Sequence, residues 1–128
     1  MPIHLAPFLS VRNSEAALAF YKLAFAAEEI FAFHDESKGE VIAHLSLGDS
    51  SFWLSEESPE YQNYSPETLN GSTTRMIITT EDPDAVFNRA IAAGATSICP
   101  VRDESYGWRI GRLADPFGHH WEVGRPPG

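Results

Sequence analysis

Two histidines and a glutamate lie close together in the stretch DPFGHHWEVGR (Asp115–Arg125), and they are the residues of this chain best suited to chemistry. Imidazole and carboxylate are common ligands of divalent ions, and both serve as general acids and bases. If HHWEVG forms a strand after the DPFG turn, alternation puts His120 and Glu122 on one face. His119, Trp121 and Val123 then fall on the other. One strand supplies too few donors for an ion, so a metal site would need His4, His44 or another ligand to converge on it. Without metal, the same face is either a general base with polar neighbours or the wall of a pocket. The chain has no G-x-S-x-G elbow and no glycine-rich phosphate loop, so serine-nucleophile and phosphate-cradling chemistry lack support.

The elements that would position these residues occur twice. The first unit opens with a strand, PFLSVR, followed by a helix from about Ser14 to Ala26. Asn13 or Ser14 caps that helix, and Ala17, Phe20, Tyr21, Ala24 and Phe25 form its apolar stripe. Three strands follow, EEIFAFHD, EVIAHLSLG and SSFWLSEE, the last two joined at Gly48-Asp49. The second unit has TRMIITT, then a helix opened by Asp82-Pro83-Asp84 and closed at Ala93-Gly94. TSICPVR, a segment around GWRIGRLA, and HHWEVG complete it. The two helix starts, Asn13 and Asp82, are 69 residues apart.

The pattern predicts an α+β fold: two tandem βαβββ units, about 1–56 and 72–125, within a single domain spanning 1–128. The linker, residues 57–71, is polar and acidic, and its Tyr61 and Tyr64 suit a lid or a dimer contact. One helix for every four strands puts the helices on one face of a mixed, mostly antiparallel sheet. The other face is then free to cup a pocket.

Composition narrows the partners. The chain is 43% hydrophobic with a net charge of -9, enough apolar matter for a core beneath an acidic surface. Such a surface repels phosphate backbones and anionic headgroups, so neither nucleic acid nor membrane is expected as a partner. No apolar run approaches the roughly 18 residues of a membrane span. MPIHLAPFLS lacks the basic and apolar regions of a signal peptide. Cys99 is the single cysteine, cannot close an internal disulfide, and reads as a small buried hydrophobe beside Pro100. A cytoplasmic location follows as the expectation.

The duplicated unit, the Phe20-Tyr21 pair in the first helix and the closing DPFGHHWE together resemble the vicinal oxygen chelate superfamily. That group includes glyoxalase I, extradiol dioxygenases and the fosfomycin- and bleomycin-resistance proteins. SVRNSEAALAFYKLAF, LGDSSFWLSEE, DAVFNRAIAAGAT and YGWRIGRLADPFGHHWEV look most like its PhnB-like subgroup. The resemblance implies a cupped sheet around a pocket, a homodimer and, in metal-dependent members, a divalent ion. The superfamily's ligand positions, carried onto this sequence, fall on Ala6, Trp53, Arg75 and Glu122. Of the four, Glu122 alone can ligate a cation. Alanine offers nothing, tryptophan only a donor, and arginine a fixed positive charge. No cofactor is therefore expected, and a divalent metal is disfavoured.

Alternation around Gly48-Asp49 places His44, Ser46, Ser51, Trp53 and Ser55 on the pocket face. For GWRIGRLA, a plain hairpin would add Arg109, Gly111 and Leu113. A one-residue bulge would instead add Trp108, Ile110 and Arg112, which the superfamily pattern favours. The expected pocket is thus His44, Trp53, Arg75, Trp108, Arg112 and His120 around Glu122. Trp53 and Trp108 suit a flat or apolar ligand. Glu122 pairs with Arg112 or Arg75, contacts the ligand, or acts as a base. The leading expectation is a metal-free homodimer that binds or sequesters an aromatic or apolar small molecule. The alternative is a lyase, isomerase or dioxygenase-type enzyme using Glu122, with or without a divalent metal. A vestigial pocket filled by its own side chains is a third reading.

Overall fold

In the computed structural model, which describes residues 1–128, eight strands and three α-helices follow one another in two similar sets. The first set is β1 (Phe8–Val11), α1 (Ser14–Phe25), β2 (Glu28–Asp35), β3 (Glu40–Leu47) and β4 (Ser50–Glu56). A connector carries the short α2 (Pro66–Leu69). The second set is β5 (Arg75–Thr79), α3 (Pro83–Ala93), β6 (Thr96–Asp103), β7 (Arg109–Ala114) and β8 (His120–Arg125). Both long helices begin as their caps dictate. The Asn13 side chain accepts the Ala16 N–H, and Asp82 accepts that of Ala85, each at 3.1 Å. No helix is long and apolar enough to cross a membrane.

Each set folds into an open four-stranded mixed sheet, in the orders β1-β4-β3-β2 and β5-β8-β7-β6. The parallel pairing in each sheet repeats in register. Phe8 lies opposite Trp53, and Ile77, 69 residues after Phe8, lies opposite Glu122, 69 after Trp53. The antiparallel pairing does not repeat. The β3–β4 turn has two residues, whereas β7 and β8 are joined by the five residues Asp115–His119, with Ala114 opposite His120. That difference slides β7 by one position, so Arg112 faces Glu122 although His44, which faces Trp53, is 68 residues before it. Side-chain direction alternates, so this slip decides which residues share the face of Glu122. Arg112 and Ile110 do. Leu113 is fully buried on the helix side, and a Cβ at Gly111 would meet Val101 and Phe87 at 2.9–3.0 Å.

The two units join helix side to helix side. α1 packs on β3 and β4, α3 on β6, β7 and β8, and the two helices pack on each other. Tyr21 and Phe25 of α1 meet Trp121 of β8 with ring centroids 5.6 and 4.8 Å apart, and Phe20 meets Phe117 of the DPFG turn at 6.0 Å. One core of buried apolar residues therefore runs through both units. Beneath it, Asp115 accepts four hydrogen bonds. They come from the Tyr21 hydroxyl, the indole of Trp121 at 2.9 Å, and the backbone N–H groups of Phe117 and His119 at 2.9 and 3.0 Å. Burial and the neighbouring Asp115 carboxylate push the Tyr21 phenol well above its ordinary range, so it remains a donor. His119 adds a second tie, its Nε2 lying 2.9 Å from the Ser10 carbonyl of β1.

The connector is folded. A 3₁₀ turn at Pro59–Tyr61 precedes α2, and Glu57 accepts the Ser65 N–H at 2.9 Å and the Thr68 hydroxyl at 2.8 Å. Those bonds hold the Glu57 carboxyl below its usual range, the Ser65 backbone bond contributing most. Pro66 rests on Gly118, where φ is +92° and a Cβ would come within 2.7 Å of the proline ring. Cys99 departs from its expected burial. It is exposed, because β6 is an edge strand with irregular pairing on either side of it.

Candidate functional site

The face of each sheet away from the helices is open, and each carries a row of side chains at equivalent places. Across the first sheet the row runs Phe8, Trp53, His44, Phe31, one residue from each strand. His44 and Trp53 stack almost in plane, 4.0 Å between centroids with a 3° tilt, and Phe8 stacks beyond Trp53 at 6.0 Å. Phe8 and Phe31 keep 55% and 51% of their surface exposed, and Phe33 and Ile42 extend the patch. Contiguous exposed aromatic surface is a common feature of binding faces. Within it the His44 Nε2 is buried without a hydrogen-bond partner.

Across the second sheet the corresponding row is Ile77, Glu122, Arg112, Cys99. Here the residues are polar and paired. Arg75 Nε lies 3.3 Å from Glu122 Oε1, the arginine side chain 51% exposed and the glutamate 21%. Arg112 donates from Nε and Nη2 to His120 Nδ1, at 3.1 and 2.8 Å. A guanidinium has only donors, so His120 accepts at Nδ1 and carries its proton on Nε2. Partial burial, and next the positive charge of Arg112, hold the His120 ring below its ordinary value of 6.5.

The structure therefore divides the sequence-derived set. His44 and Trp53 stand together on the first sheet, and Arg75, Arg112, His120 and Glu122 on the second. Trp108 lies just before β7 in the β6–β7 turn, partly buried, its carbonyl accepting the Glu104 N–H at 2.7 Å. Arg109, from the rejected register, turns to α3 and forms a fork with Asp84, both bonds 2.8 Å. Sequence reading missed Phe8, Phe31 and Ile77. Their alternation with buried Leu9 and half-buried Ala32 was visible, but which strands would lie beside Trp53 and Glu122 was not. A cleft of about 890 Å³ lies between the N-terminal segment, the β3–β4 turn and β5, lined among others by His4, Ala6 and Trp121 and reached by His44 of the first row and Ile77 of the second.

The four ligand positions of metal-dependent superfamily members do not form a donor set in this chain. Ala6 precedes β1, Trp53 is stacked between two rings, and Arg75 places its guanidinium against the one carboxylate, Glu122. No three His, Cys, Asp or Glu side chains converge anywhere in the chain. A divalent ion needs three or four such donors at about 2.0–2.2 Å.

A family model described as the Glyoxalase/Bleomycin resistance protein/Dioxygenase superfamily matches residues 3–123. The chain is 34% identical over 125 residues to the Mycobacterium bovis protein Mb0911c, spanning 95% of this chain and 82% of that one. Among solved structures, TioX from Micromonospora sp. ML1 superposes with a TM-score of 0.74 at 24% identity, covering 97% of this chain and 98% of TioX. A glyoxalase/bleomycin resistance protein/dioxygenase family enzyme from Burkholderia phytofirmans PsJN does so with 0.63 at 25% identity, covering 92% and 94%. With a family model matched over almost its whole length, the chain belongs to the glyoxalase/bleomycin resistance protein/dioxygenase superfamily.

Proposed function

We propose that this protein is a cytoplasmic, PhnB-like member of its superfamily that binds a flat, apolar small molecule without a metal, as a homodimer. The observation that carries the reading is the pairing of unlike rows at equivalent places, aromatic on the first sheet and polar on the second. An aromatic surface with a few fixed polar groups is the common composition of a small-molecule site. Within one chain the helices lie between the units, so the open faces point away from the layer they share. A second copy supplies the missing wall, setting the Phe8-Trp53-His44-Phe31 row of one protomer against the Arg112-His120-Glu122 face of the other. The exposed phenylalanines support this arrangement, as does Ile77, 55% exposed in the second row. Arg75 beside Glu122 supports a site that works without metal.

Sedimentation equilibrium and calorimetric titration with 2-naphthamide, a flat neutral probe, test the reading. The expected results are a species of twice 14.2 kDa and saturable binding that Trp53→Ala weakens. A monomer at micromolar concentration, or no saturable binding, overturns it. Turnover of a small carbonyl substrate that Glu122→Gln abolishes would instead make Glu122 a general base and the protein an enzyme.

A further inference from the structure

The chain has seven arginines, and they differ in what balances them. Arg12, Arg75, Arg102 and Arg109 each lie 2.7 to 3.5 Å from a carboxylate oxygen. Arg89 and Arg125 are exposed to water and donate to the backbone carbonyls of Leu23 and Glu81. Arg112 is the exception. It is partly buried, and its hydrogen-bond partner is the neutral ring of His120. Glu122 stands opposite Arg112 in the ladder, yet its carboxylate forms its ion pair with Arg75. Cys99, the neighbour on the other side, brings no acid. A partly desolvated guanidinium without a counter-charge is unfavourable, and an arriving anion relieves it.

The geometry has a second part. Because His120 takes both Arg112 bonds at Nδ1, its proton sits on Nε2, where no protein acceptor engages it. With its Nε and Nη2 engaged by His120, Arg112 keeps the guanidinium nitrogen Nη1, which makes no bond of its own, while the imidazole N–H at Nε2 points away from it. The free end of the planar guanidinium suits the oxygens of a carboxylate or sulfonate, and a charged acceptor shortens and strengthens that contact. The unbalanced positive charge of Arg112 stands in a chain whose net charge is -9.

We propose that Arg112, held in place by His120, binds an oxyanion carried by the aromatic ligand, so that the ligand class is aromatic acids. Arg112 supplies the charge and also fixes the tautomer of His120. The inference rests on the binding reading above and adds to it the charge of the ligand.

The test compares 2-naphthoate with 2-naphthamide, equal in ring and shape and different in charge, by calorimetric titration of the full-length protein. Wild type is expected to bind the carboxylate at least about tenfold more tightly, as a charge-assisted hydrogen bond allows. Arg112→Gln should erase that preference, so that the variant binds the two probes alike, and Arg112→Lys should keep part of it. Added salt should weaken naphthoate binding in wild type and leave the amide unchanged, a readout that needs no variant to fold. Equal affinity for the two probes overturns this inference and leaves the binding reading standing. Absence of binding by either probe overturns both.

Discussion

The hydroxyl of Tyr21 in α1 donates to Asp115 at the head of the β7–β8 turn, 94 residues later, inside a fully buried setting. The two sequence fragments most suggestive of the superfamily, Phe20-Tyr21 and DPFGHHWE, are thus the two ends of one cluster that clamps the units together. Tyr21→Phe removes one bond to a buried carboxylate and should cost about 1.5–3 kcal/mol. Urea denaturation of both proteins measures it. A loss below about half a kcal/mol would show that the turn holds without the clamp. Asp115→Ala strands three further donors and should cost more than Tyr21→Phe.

How much of this was legible beforehand follows from the range of the forces involved. Helix limits and hairpin turns depend on neighbours a few residues away, so the Asn13 and Asp82 caps and the Gly48-Asp49 turn were readable. The sharing of a face by His120 and Glu122 follows from alternation alone. The choice between Arg112 and Arg109 depends on one extra residue in a turn, which alternation cannot see; the superfamily pattern selected Arg112, and the register agrees. The Tyr21 partner of Asp115 lies in the other unit, and no local signal marks it. The fold of the long connector was not legible, because the bonds that fix it, accepted by Glu57 from Ser65 and Thr68, join polar groups that carry no hydrophobic period.

Gly118 tests whether the connector is part of the clamp. Its φ of +92° and the Pro66 ring in its path each oppose a side chain. Gly118→Ala should destabilise the protein by about 1–3 kcal/mol, the usual cost of a strained backbone position. Glycine at Pro66 in the same background opens the space and should recover part of the loss in thermal unfolding. No recovery would locate the whole penalty in the backbone of the turn.

His44 shows the opposite balance between fit and function. Its ring is stacked on Trp53, but its buried Nε2 lacks a partner, which costs about 1–3 kcal/mol in a folded protein. His44→Phe keeps the stack and removes the unmet polar atom. Thermal unfolding should find the variant as stable as wild type or more so, whereas His44→Ala, which loses the stack, should be less stable. A clear loss in the phenylalanine variant would mean that Nε2 has a partner in solution, and the dimer or a ligand would be the place to seek it.

His120 makes stability depend on pH in a definite direction. Partial burial and Arg112 hold its folded-state pKa below the ordinary 6.5. On acidification the unfolded chain takes up the proton before the folded one does, so the contribution is present above 6.5 and is lost as pH falls through the folded value. Protonation also ends the acceptance at Nδ1, which breaks both bonds to Arg112. Melting temperature should therefore fall more steeply between neutral pH and pH 5 in wild type than in His120→Gln, whose amide oxygen still accepts from Arg112. Parallel curves would show that His120 titrates alike in the two states.

The Arg75–Glu122 pair sets the response to divalent ions. Its 3.3 Å contact puts a permanent cation at one superfamily ligand position and engages the only carboxylate among the four. An ion would have to displace the guanidinium and would then find one donor where it needs three. Manganese, zinc or nickel should leave the melting temperature unchanged, and protein purified without added metal should carry none in stoichiometric amount by elemental analysis. The comparison is sensitive, because a site filled at a hundred times its Kd would add about 2.7 kcal/mol. Stabilisation of that size would mean that donors from a second chain complete a site around Glu122. The pair itself is partly exposed, so Arg75→Gln should cost less than about 1 kcal/mol of stability and still not create a metal site.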